Sequence, residues 1–434
     1  MKNKLTNKKG ITLIALVITI IVLLILAGLS IIMISNQDGI LNRAISVKEK
    51  NYNASEEEKV TLALMAAIDN NGNKDYSNIG KYLKGASFDD GLIKYNENNY
   101  LVNEDGTAKK VTWYVTTNSE GKYVVTNGKG DSIQLGSTVN YDPYTGVDKN
   151  KLEVESKTER NGCEEQKYVI TNNDDKSQKL IWKVLGTDDN GDILIMPTTN
   201  VTDKDGNIQY MSIGAIDTIT GRGAVQYGAE EVNRVCSIYG YGNGAKYARS
   251  IQVEDIDKLT GFDKTAYKWD VYKYGQNIKY TNTSWGIETD TGNEIYNHAA
   301  YKSFTYFNGN TWITLNRGES AILRSTTYCY DMSIEQYKNV LINKGVYDLI
   351  TKDTNKDDEG DGGQYYWLGS SFVHVSNGYA SFGLRLVGNS SVDRCWFLTS
   401  NDKCTGGTLG LRPVVALKSD VLLVEGENDI WNIK

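Results

Sequence analysis

Residues Ile11 to Ile34 read ITLIALVITIIVLLILAGLSIIMI, 24 residues without a charge or a proline. A helix rising ~1.5 Å per residue covers ~36 Å over that length, more than the ~30 Å hydrocarbon core of a bilayer. Such a run must leave water, so the rest of the chain is built around where it goes. Lys2, Lys4, Lys8 and Lys9 precede it, while the whole chain carries 54 acidic against 47 basic residues. Positive charge ahead of a membrane segment keeps that end in the cytoplasm, so the larger, acidic remainder is expected outside.

A secretory signal has a shorter apolar region, roughly 7–15 residues, followed by a small-residue cleavage site. Here the run is longer, and Ala27-Gly28-Leu29-Ser30 is a poor site with more apolar chain beyond it. A simple single-pass anchor fits the length but gives no reason for Gly10 to stand between the basic and apolar parts. The layout Lys8-Lys9-Gly10-Ile11-Thr12-Leu13 resembles the leader of type IV prepilins and pseudopilins. That resemblance implies a prepilin peptidase that cuts after Gly10 and N-methylates Ile11. The retained helix would anchor the protein and then join other pilin-like subunits in a filament core, with Leu13, Ala15 and Leu16 on its assembly surface. The stretch Asp38 to Ala44 is also similar to the juxtamembrane segment of clostridial-type pilin-like proteins.

Two positions depart from the family pattern. Ile11 stands where phenylalanine is usual, and Ala15 where a glutamate would pair with a neighbour's N-terminal amine. An unpaired ammonium in an apolar core is costly. The departure therefore favours a minor or tip subunit over a major pilin. A membrane-anchored extracellular binding protein that never polymerises is the alternative.

No basic stripe of the kind a phosphate backbone requires occurs, which argues against nucleic acid as a partner. Cys163, Cys236, Cys329, Cys395 and Cys404 show no CxxC or Cys/His metal spacing, against structural zinc. Cys395 and Cys404 are close enough in sequence to close a hairpin, and five buried thiols fit equally well.

An α+β fold in four parts is expected: a leader over 1–10, a helix over 11–69 with its membrane span at 11–34, a small antiparallel β headgroup over 70–130, and an extracellular domain over 131–434. No proline precedes Pro143, so the helix can run nearly unbroken to Ile68, with Ser55 and Glu58 as a capping box for a last section. Trp113 to Val115 and Tyr123 to Val125 form a hairpin expected to cover the apolar face near Leu62 to Ile68. Further on, a meander turns at Asp189-Asn190-Gly191, and helices are expected over 228–239 and over 253–259 with Gly261 as C-cap. Strands follow around Tyr366-Trp367-Leu368 and Gly410 to Leu417.

The Tyr-Trp-Leu-x-Ser strand, the closing Gly410-Leu411-Arg412-Pro413-Val414-Val415 and Ala248-Arg249-Ser250-Ile251 resemble an extracellular domain of clostridial-type bacteria. Their layout is similar to C-type-lectin-like folds, which include formylglycine-generating-enzyme relatives. The resemblance implies a β-rich ligand-binding domain and is silent on the ligand, carbohydrate or protein.

Tyr366, Trp367 and Trp396 are candidate sugar-stacking residues, although a tryptophan between Tyr and Leu in a strand equally suits a core. Arg412 is a candidate for ligand recognition or for a buried tie between strand ends. Asp353, Asn355 and Asp357 begin like an oxygen-ligand calcium loop, but Asp358 fills the place of the required glycine and Gln364 that of the bidentate glutamate. A solvated acidic turn is the other reading; calcium is the one cofactor the chain suggests. Only His298 and His374 occur, with no GxSxG or HExxH. An enzyme is not expected, and a formylglycine-generating type is the distant alternative.

Overall fold

The computed structural model describes residues 40–68, 74–89, 91–103, 106–143, 153–158, 166–171, 180–202, 205–214, 228–263, 277–282, 285–289, 303–307, 312–316, 320–324, 326–328, 330–352, 365–376, 379–399, 406–421 and 423–433. The chain is mixed α/β with several antiparallel sheets. It divides into two compact units, Met1–Lys110 and Val111–Lys434. Among the described residues no helix is long and apolar enough to cross a membrane; the run Ile11 to Ile34, with Gly10, lies outside them.

In the first unit, helix α1 spans Ile40–Ala66 without a break. Ser55 and Glu58 therefore lie in mid-helix and do not open a separate section, contrary to the capping-box expectation. Val60, Ala63, Leu64 and Ala67 follow helical spacing and are buried against Ile79, Ile93, Tyr100 and Ala108. The covering sheet runs in the order Ser87–Asp89, Leu92–Tyr95, Asn98–Val102, Ala108–Val111. Its central hairpin turns at Asn96 and Glu97, both at positive φ, the backbone that lets a two-residue loop follow the strand twist.

Side chains of α1 bond the backbone of the last strand. Ala108 N–H donates to Thr61 Oγ1 at 3.0 Å and Lys110 N–H to Glu57 Oε1 at 2.9 Å. Glu56 is 1% exposed and accepts from Asn96 Nδ2, Asn98 Nδ2 and Tyr100 Oη at 2.8, 3.1 and 2.8 Å. Burial alone would raise the Glu56 carboxyl, but these donors, Tyr52 and the nearby Lys110 outweigh it and hold it below the usual carboxylate range.

In the second unit a seven-stranded sheet runs Ala245–Ser250, Pro413–Leu417, Ile193–Pro197, Trp182–Thr187, Thr138–Asn140, Ile430–Ile433, Leu423–Glu425. Every residue of Ile193–Pro197 and Pro413–Leu417 is buried, which explains their unbroken apolar runs: both sheet faces are covered. Helix α2, Gly228–Cys236, packs on the Ala245–Ser250 strand and buries Val232, Val235 and Cys236, with Tyr239 following in a 3₁₀ turn. Helix α3, Val253–Thr260, ends at Gly261 in the left-handed C-cap conformation. Helices α4, Lys338–Asn343, and α5, Tyr347–Thr351, lead towards an antiparallel sheet ordered Met332–Ser333, Ser391–Thr399, Tyr379–Gly388, Tyr366–Ser376.

The expected hairpin forms between Tyr114–Thr117 and Tyr123–Thr126, but it belongs to the second unit. Trp113, Val125 and Ile133 join that unit's core, while strands over 87–111 cover α1. The division accordingly falls at Lys110/Val111, not at the expected 130/131.

Candidate functional site

Four residues were expected to meet a ligand, and the structure gathers three of them in the core. Tyr366, Trp367 and Arg412 are each 0% exposed. The Trp367 indole N–H donates to Met211 O at 2.7 Å, and Tyr366 Oη to Ile350 O at 2.8 Å. The Arg412 guanidinium lies 4.4 Å from the Tyr366 ring centroid. Its Nη1 donates to Leu349 O at 2.8 Å, its Nη2 to Lys352 O at 2.8 Å and its Nε to Asn200 Oδ1 at 3.0 Å.

This node satisfies the carbonyls left over at the C-terminal end of α5, where a cation is also favoured. A ring with no exposed surface cannot stack on a sugar, so the sugar-contact reading of Tyr366 and Trp367 is corrected to a core role. Arg412 ties the start of the Pro413–Leu417 strand to α5. Trp396 lies in the Ser391–Thr399 strand opposite Gly383; its side chain is outside the described residues. Leu13, Ala15, Leu16 and Ile11 lie outside them too, as do Asp353, Asn355 and Asp357. Among the described residues no group of three or more His, Cys, Asp or Glu could hold a metal.

Other ionisable clusters act as staples. Asp188 accepts from the backbone N–H groups of Asn190 and Asp192 and from Tyr247 Oη, closing the turn before Ile193. Lys246 Nζ reaches Asp192 Oδ2 at 2.5 Å, where burial first and Asp188 second push the Asp192 carboxyl up against that cation's pull. Arg249 grips Asp255 with two bonds of 2.6 and 2.7 Å. Each cluster joins neighbouring elements, and none presents a base to a nucleophile. Burial pushes the Cys236 thiol up to about 12, leaving it protonated and unreactive at neutral pH.

An open concavity among the described residues lies elsewhere. A cleft of about 560 Å³ sits where Thr138–Asn140 and Ile430–Ile433 run side by side, and Leu180 and Ile181 form part of its wall. The two strands pair in parallel, with Asn140 opposite Asn432. The Asn140 amide donates to Asn432 Oδ1 at 3.1 Å. Asn428 and Asp429 both take φ 58° in the turn before Ile430, which places Glu427 and Asn428 on the cleft. Tyr141 closes the floor, its hydroxyl donating to Tyr239 O at 2.5 Å.

None of these cleft residues was anticipated. The signal for Ile430-Trp431-Asn432-Ile433 as a strand is local: Leu423-Val424-Glu425, a Gly-Glu-Asn-Asp turn and Ile430-Trp431 have the pattern of a hairpin. Pairing that hairpin with residues about 290 positions earlier is not written in either segment. Comparison of the chain with protein-family models, with curated proteins and with solved structures finds no match.

Proposed function

We propose that the protein is a surface-displayed, pilin-like subunit, cut after Gly10, that holds a ligand-binding domain outside the membrane. The observation that carries this reading is the order Lys8-Lys9-Gly10, then 24 uncharged residues, then a helix whose final turns bear a small antiparallel sheet. The basic leader sets orientation and the apolar helix supplies the anchor and the filament contact. The sheet on α1 supports reading the first unit as a pilin headgroup, shorter than its expected span. The buried Trp367 and the Arg412-Pro413 strand entry support reading the second unit as a C-type-lectin-like binding domain. Calcium at Asp353, Asn355 and Asp357 and an adhesive role belong to the same proposal. Ala15 in place of a glutamate favours a minor or tip position, or an anchor that never polymerises.

N-terminal mass spectrometry on protein recovered from its own cells tests it. The expected mature chain begins at N-methylated Ile11. A chain beginning at Met1 would sink the pilin reading and leave an anchored binding protein, and one beginning beyond Ala27 would sink the anchor as well.

A further inference from the structure

We infer that the cleft between Thr138–Asn140 and Ile430–Ile433 is a binding site for a neutral glycan; this rests on the reading of the second unit as an outward-facing binding domain. Its volume, about 560 Å³, falls among small-ligand sites of roughly 300–1,000 Å³. Asn140, Asn428, Asn432 and Thr138 line it together with the carboxylate of Glu427, and among the described residues no Lys, Arg or His does. A phosphate, sulfate or carboxylate ligand would face the Glu427 carboxylate with no cation among the described residues to offset it. Amide groups both donate and accept, which matches vicinal hydroxyls that do the same. Leu180, Ile181 and Ile430 add an apolar wall, and Ile181 keeps 54% of its surface open, suiting the C–H face of a sugar ring.

The polar groups are held in advance. Asn140 and Asn432 are bonded to one another across paired strands, and Asn428 sits in a tight left-handed turn. Little side-chain freedom is then lost when a ligand arrives. An extended peptide is disfavoured, because Thr138 and Val139 are already paired on one side with Lys183 and Trp182, and Thr138–Asn140 on the other with Ile430–Asn432, leaving no edge of strand length for addition.

The test uses the full chain in a detergent without sugar headgroups, passed over immobilised neutral oligosaccharides ending in glucose, galactose, mannose or N-acetylglucosamine. Sialylated and uronic-acid glycans serve as comparison. Retention on at least one neutral glycan and not on the acidic ones is expected. Asn428→Gly removes an amide while keeping the left-handed turn, and Ile181→Asp charges an already exposed wall. Each should weaken retention about three- to tenfold, the loss of one hydrogen bond or apolar contact, with the thermal midpoint unchanged. Failure to retain any neutral glycan, equal retention by both variants, or retention of acidic glycans alone would overturn the inference. A chain processed at Ile11 that holds no glycan sinks this inference and spares the pilin reading. A glycan-binding chain that begins at Met1 does the reverse.

Discussion

Glu56 shows how a single carboxylate can set the register between a helix and a sheet. It is buried on α1 within an otherwise polar stretch, and its donors on the sheet come from Asn98 and Tyr100 of the Asn98–Val102 strand and from Asn96 in the turn before it. Replacing it by alanine leaves the buried Tyr100 hydroxyl without its acceptor and is expected to destabilise the first unit by about 1–3 kcal/mol, measured by urea denaturation. Because its folded pKa is lowered, its contribution is fully present above the unfolded carboxylate value of ~4.3 and is lost as pH falls through the folded value. Denaturation midpoints followed from pH 7 down to pH 3 should drop more steeply in the parent than in Glu56→Gln. Equal slopes would show that another group carries the acid sensitivity. Position 56 also shows what the sequence hides: a glutamate in SEEEKV looks like part of a solvated, charged face, and only the sheet folded over it makes it a core group.

At the scale of elements, an outermost strand is a hazard because its unpaired N–H groups invite other strands. The Ala108–Val111 strand meets this with Thr61 and Glu57 of α1, which occupy two of those donors. Thr61→Val keeps the shape and removes the acceptor. It should cost about 1 kcal/mol and speed hydrogen exchange at the Ala108 amide about fivefold, read by NMR; unchanged protection there would mean the helix is not what guards this strand. Local elements were the legible part of the fold. The α2 face of Val232, Val235 and Cys236, the α3 stop at Gly261 and the hairpin at Gly191 all follow from spacing and turn chemistry, which act within a few residues. The Trp113 hairpin packs in the second unit's core rather than on α1, a choice its sequence does not carry because apolar faces are interchangeable: nothing in Tyr123-Val124-Val125 distinguishes one core from another. The same holds for the site. Trp367 and Arg412 attract attention as residue types yet lie inside, whereas the cleft is made of asparagines and a short closing strand that stand out only once they are brought together.

For the whole molecule, the seven-stranded sheet of the second unit draws on residues from Thr138 to Ile433. Ile430–Ile433 is interior to that sheet, lying between Thr138–Asn140 and Leu423–Glu425, so its removal would strip pairing from both neighbours. Deleting residues 427–434 is expected to abolish the cooperative unfolding transition of the second unit, followed by near-ultraviolet circular dichroism. Retention of that transition would make the closing strand dispensable to the core.

The same placement bears on the export proposed above. A polypeptide exported end first presents Thr138–Asn140 long before Ile430–Ile433 emerges, and until then the earlier strand has an open side. Under the proposed export behind the apolar helix, the second unit waits in an incomplete, association-prone form until Ile430–Ile433 has followed. Rapid final closure, or shielding of that open side during export, then becomes a requirement for displaying the protein at all.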